Sequence, residues 1–119
     1  MTTIFRPLDV AVADLDAKPL ALPSAQPLSG EIEVRSRVEF ANEGRTIISG
    51  IWESDPGTSR WEFTGRGEIV HILAGVLTVQ EDGAEPETLT AGSAAVFPIG
   101  WCGTWTVEEP VRKLYVVYK

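Results

Sequence analysis

The stretch Glu68-Ile69-Val70-His71-Ile72-Leu73-Ala74-Gly75 decides the fold. It is apolar on both faces, rich in β-branched residues and closed by glycine, which reads as a strand covered on two sides. With a period of two, Glu68, Val70 and Ile72 face one way, while Ile69, His71 and Leu73 face the other. Working outward, Gly75 turns the chain into a second strand at 76–79, and Asp82-Gly83 is a hairpin signal. Residues 87–89, 94–97, 104–107 and 111–118 read as further short strands. Upstream, residues 33–40 alternate, with Val34, Val38 and Phe40 on one face, and residues 46–53 and 60–64 follow. Gly75, Gly83, Gly92 and Gly100 stand where strands must reverse, and Pro98 ends the strand before it. Nine or ten short strands with no 3.6-residue period make residues 31–119 an all-β sandwich or barrel.

Residues 1–30 are different. Pro19, Pro23 and Pro27 recur every four residues and forbid a long helix, leaving at most a helical turn or two around 9–16. This segment reads as an extended arm that needs a surface to lie against. The chain of 119 residues is long enough for one domain with its own core. Ten Lys and Arg against seventeen Asp and Glu give a net charge of −7, which repels phosphate backbones and anionic lipid. Neither nucleic acid nor membrane is therefore an expected partner. A single cysteine, Cys102, excludes an intrachain disulfide. No apolar run reaches membrane-spanning length, and no basic, then apolar, leader opens the sequence, so a cytoplasmic location is expected.

Two glycine-anchored segments about twenty residues apart, Glu68 to Gly75 and Gly92 to Pro98-Ile99-Gly100, together resemble the paired signatures of the cupin superfamily. The pieces Gly50-Ile-Trp52-Glu53-Ser54-Asp55-Pro56-Gly57 and Gly103-Thr-Trp105, with the later Val111-Arg112-Lys113-Leu-Tyr115, are similar to the ureidoglycine aminohydrolase-type branch. The resemblance spans about residues 46–118. It implies a double-stranded β-helix, the jelly-roll barrel, whose interior holds a small-molecule pocket. It also implies where metal ligands stand in relatives: histidines at Trp61 and Phe63 (or, one register on, Glu62 and Thr64), a carboxylate at Glu68, and a third histidine at Gly103. Only Glu68 keeps its family identity. A three-histidine metal site is impossible with His71 as the sole histidine, so no cofactor is expected.

The candidate site follows from this. Glu68 is the expected pocket carboxylate and proton carrier, joined by Glu62 if the strand register turns that residue inward. Arg60 offers a planar fork for a ligand carboxylate. Trp52, Trp61 and Trp105 are expected as walls, with Phe63 lining or filling the cavity and Cys102 at its rim. Of Arg112 and Lys113, one faces inward, and the sequence leaves open which. Three functions compete: metal-independent binding, with acid/base chemistry, of a small polar metabolite; a metal-dependent enzyme of the ureidoglycine aminohydrolase-like type; and a non-catalytic module working as a homodimer. The first is the preferred expectation, with a homodimer formed through the arm and the outer face of residues 68–73.

Overall fold

A computed structural model describes all of residues Met1–Lys119. Two long strands carry the architecture, β6 (Gly67–Glu81) and β9 (Cys102–Tyr118), paired antiparallel from Gly67 opposite Tyr118 to Glu81 opposite Gly103. The sequence reading divides each of them in two, at Gly75 and at Pro110. Neither break exists. Instead the ladder slips register three times between Ile72 and Leu77, so both strands bend together and continue. Gly75 has φ +88°, and a Cβ there would collide with the carbonyl oxygen of Pro110. Pro110, lacking an N–H, falls at the irregular point where no ladder donor is needed. Gly75 is thus a bend rather than a reversal.

The bend lets each long strand serve both ends of the barrel. Toward its C-terminal end β9 pairs with β4 (Ile47–Ser54), and toward its N-terminal end with β5 (Gly57–Glu62). On the other side β6 pairs with β8 (Ala94–Phe97) and then with β7 (Glu87–Leu89). Strand β3 (Glu33–Ala41) extends the sheet beyond β4. With β1 (Asp16–Pro19) and β2 (Gln26–Pro27) at its ends, the strand order β1-β3-β4-β9-β5-β2, with β6, β7 and β8 attached through β9, is the curled sheet of a jelly roll. No helix is long and apolar enough to cross a membrane.

The arm is not a separate layer. It supplies β1 (Asp16–Pro19) against β3 and β2 (Gln26–Pro27) against β5, the two outer ends of that order. Edge positions are where proline is tolerated in a sheet, which accounts for Pro19 and Pro27. One 3₁₀ turn, Val12–Asp14, is the arm's only helical element. Leu15, Leu20 and Ala25 are buried, the last two within the main core.

Two outward faces differ from expectation. Val38 and Phe40 are exposed although Val34 is buried, because Val38 lies opposite Gly50, which offers no side chain, and a bulge follows it. The outer face of β6 and β8 also stays uncovered within the chain, with Ile69 and Val96 exposed beside His71. The inward set Glu68, Val70 and Ile72 is buried, as the alternation requires.

Candidate functional site

Strand β5 resolves its own register. Ser59, Trp61 and the following Phe63 point into the barrel, and Arg60 and Glu62 point out. Arg60 is held by both oxygens of Asp82 at 2.6 and 2.7 Å, and this hydrogen-bonded pairing raises its pKa despite some desolvation. Glu62 is exposed, 3.7 Å from Arg60. The expected grouping of Arg60 and Glu62 with Glu68 therefore does not form: they border an outer groove of 440 Å³ beside Pro23 and Gln26. Cys102 stands opposite Glu62 in the ladder, partly exposed, its thiol 3.6 Å from the Gly100 carbonyl.

The barrel interior is filled with rings. Phe63 is fully buried, stacked on Trp61 at 5.8 Å and on Phe97 at 5.6 Å. Trp105 is fully buried and stacks on Trp61 at 3.9 Å between ring centroids. Phe97 and Trp101 close the far end. Phe63 thus fills rather than lines the cavity, and so does Trp105, an expected wall that is sealed in the core, while Trp61 is core on one side and wall on the other. Trp52, half-buried, meets Trp61 and Trp105 edge-on at 6.0 and 6.2 Å. Their indole nitrogens differ: that of Trp61 donates to Ser59 Oγ at 2.8 Å, whereas that of Trp105 is the one buried side-chain polar atom without a partner.

At the open end of this stack lies the charge the sequence left unassigned. Lys113 is 2% exposed and its ammonium donates to Oε2 of Glu68, itself 4% exposed. Its Nζ lies 4.3 Å from the Trp52 ring centroid, 4.4 Å from that of Trp105 and 5.6 Å from that of Trp61. Burial lowers the lysine pKa below its ordinary 10.5 more than the Glu68 carboxylate raises it, and the nearby Arg66 lowers it further. Tyr115, two residues on along the same face of β9, has its phenol pushed up by burial and then by Glu68. A cleft of 140 Å³ opens onto the pair, bordered by Ser24, Trp52, Arg66 and Tyr115. Arg66 leans over Phe63 at 5.1 Å, donates to the Ser24 carbonyl at 3.0 Å, and pairs with no carboxylate.

Arg112 points the opposite way and is also buried. It donates to Glu53 Oε2 at 2.8 Å and to the carbonyls of Pro7 and Val10, each at 2.8 Å, so the arm caps its guanidinium. Sequence reasoning left Lys113 undecided against Arg112 and missed Tyr115 and Arg66 as site residues. A signal for Lys113 and Tyr115 existed: stepping by twos from Trp105, an expected wall, reaches Val107, Glu109, Val111, Lys113 and Tyr115, a face interrupted only by Glu109 beside Pro110. Using it required one continuous β9, which Pro110 hides.

The donor chemistry does not fit the metal that many cupins hold. Where the resemblance places histidines stand Trp61, Phe63 and Gly103, and no three His, Cys, Asp or Glu side chains gather anywhere in the chain. Glu68, the retained carboxylate, already faces an ammonium, and a divalent cation beside Lys113 would be repelled.

Comparison with known proteins agrees with the fold. A family model described as "EutQ-like cupin domain" matches residues 41–115, well over half the chain. Among solved structures, the EutQ protein of Clostridium difficile superposes with a TM-score of 0.62 at 22% identity, over 73% of this chain and 68% of that one. A DUF861-family protein of unknown function from Pseudomonas syringae gives 0.75 at 24% identity, over 87% of this chain and 43% of that one. Ectoine synthase from P. lautus gives 0.65 at 15% identity, over 71% and 63%. No curated protein matches the sequence. At these identities the structures speak for the jelly-roll fold alone, and the narrower ureidoglycine aminohydrolase-type likeness is not shown.

Proposed function

We propose, from the premise that the chain belongs to the family of EutQ-like cupin domains, that it binds a small polar metabolite in the cleft above Lys113 and Glu68, without a metal. One observation carries this reading: a buried ammonium–carboxylate pair forms part of the lining of a cleft that also presents Trp52, Trp61, Tyr115 and Arg66. Burying such a pair costs several kcal/mol per ion by rough reckoning, and well-packed apolar residues often serve stability as well or better. The pair is nearly sealed from water, yet both side chains line a cleft, where the ammonium and Arg66 can hold an anionic group. The ammonium of Lys113 donates to the Glu68 carboxylate, so the site sets a proton donor beside an acceptor, able to give a proton to a bound ligand or take one from it.

The test is a screen of small carboxylates, amino acids and sugar acids at millimolar concentration. It is read by thermal shift on the wild type and on the Trp52→Ala and Glu68→Gln variants. Compounds that raise the melting temperature of the wild type and not of either variant support the reading. A screen in which every stabilising compound acts equally on all three proteins overturns it.

A further inference from the structure

The cleft has a property that simple binding does not use. Of the three lysines, Lys18 and Lys119 lie on the surface, and Lys113 alone is interior. Its amine is enclosed by three tryptophan rings and hydrogen-bonded to one carboxylate, with a second cation, Arg66, near enough to act on its charge. We propose that Lys113 captures carbonyl compounds: its Nζ condenses with a small 2-oxo acid, whose carboxylate is held by Arg66, to form a protonated imine. This rests on the reading that the cleft binds a small metabolite, and it names the class.

Three observations select that class. The cleft holds two cations, Lys113 and Arg66, against one anion, Glu68, and one uncompensated positive charge suits a monoanion. Arg66, free of carboxylate partners, presents the planar fork that grips a carboxylate. The volume of 140 Å³ admits a compact compound of about six heavy atoms. Burial that disfavours the ammonium, with a second cation nearby, is also how a lysine is made nucleophilic near neutral pH.

The condensation balances. The ammonium gives one proton to Glu68, and the freed lone pair forms the N–C bond as the carbonyl π electrons move to oxygen. A second proton passes from nitrogen to that oxygen. Glu68 then returns the first proton, and the C–O bond breaks with its electrons leaving as water while nitrogen forms the double bond. The product is a protonated imine and Glu68 is a carboxylate again, so the positive charge facing the Trp52 and Trp105 rings is conserved.

The experiment treats the full chain with glyoxylate, pyruvate or 2-oxobutanoate, adds borohydride, which delivers hydride to an imine carbon, and maps the secondary amine by peptide mass. Thermal shifts with the same acids and with the carboxylate screen are read in parallel. The expected result is an adduct on Lys113 with only traces on Lys18 and Lys119. It is absent from Lys113→Arg, and its rate of formation falls about a hundredfold in Glu68→Gln. Equal labelling of all three lysines overturns the inference. Stabilisation by any compound of the screen without an adduct on Lys113 also overturns it and leaves the binding cleft standing. If no compound stabilises the protein and none is trapped, both readings fall.

Discussion

Trp52 and Lys113 are direct partners across the β4–β9 ladder, and the ammonium of Lys113 rests 4.3 Å from the Trp52 ring centroid. Glu68 is not opposite Lys113 in any ladder: Lys113 pairs with Ile72 on β6, whereas Glu68 pairs with Val117. The lysine stem therefore leans along the barrel, under the tryptophan, to reach the carboxylate. A cation held by rings on one side and by an acid on the other is satisfied only while both are present.

Removing one member of this pair should cost more than removing both. Lys113→Met leaves the Glu68 carboxylate buried without its partner, a loss of about 3–5 kcal/mol. The double variant Lys113→Met/Glu68→Leu should recover most of it. Urea unfolding of the four proteins checks this, and a double-variant loss equal to the sum of the two single losses would show that the pair is uncoupled.

Acid should act through Glu53. Burial pushes its carboxyl up, but the hydrogen bonds from Arg35 at 2.7 Å and Arg112 at 2.8 Å together outweigh burial and hold it below the ordinary 4.5. A carboxyl with a lowered folded pKa contributes stability in full above 4.5 and loses it as pH falls through the folded value. The stability advantage of the wild type over Glu53→Gln should thus be flat from pH 7 to about 5 and shrink below 4.5. An advantage that persists undiminished to pH 3 refutes it.

Gly75→Ala should be strongly destabilising although it adds one methyl. The residue sits at φ +88°, a region costing a non-glycine residue about 1–3 kcal/mol, and the added carbon meets the Pro110 carbonyl. Gly83→Ala, at φ +80° with open space around it, bears the backbone cost alone. Melting temperatures should fall further for the first than for the second; the reverse order would mean that the bend in β6 and β9 relaxes freely.

Two truncations separate the halves of the arm. Removing residues 1–10 uncovers Arg112 by deleting the Pro7 and Val10 carbonyls, and should lower the melting temperature modestly while leaving unfolding cooperative. Removing residues 1–28 also deletes β1, β2, Leu15, Leu20 and Ala25, and should leave an insoluble or unfolded chain. Cooperative wild-type unfolding in the longer truncation would deny the arm its place in the core.

The β reading of residues 31–119 was legible because alternation is local: Val34, Val70 and Ile72 each declare a face within a few neighbours. Legible too was Glu68 as an interior acid, from its place in an apolar strand. Glu62 and Arg60 were not, since a register ambiguity of one residue moves both across the sheet, and only pairing with Cys102 and Thr104 removes it. Pro110 and Gly75 read as breaks because each disfavours a regular ladder, yet they fall side by side at one bend, where their irregularities coincide.

Sequence by itself determined the fold class, the inward face of Glu68, Val70 and Ile72, and the loss of the histidines that a cupin metal needs. Tertiary structure alone decided that Lys113, 45 residues from Glu68, is its partner, and that Arg112 turns outward under the arm. The reason is physical: alternation assigns a side chain to a face, but which faces meet depends on long-range register, and that is set by how β6 and β9 bend around the packed rings.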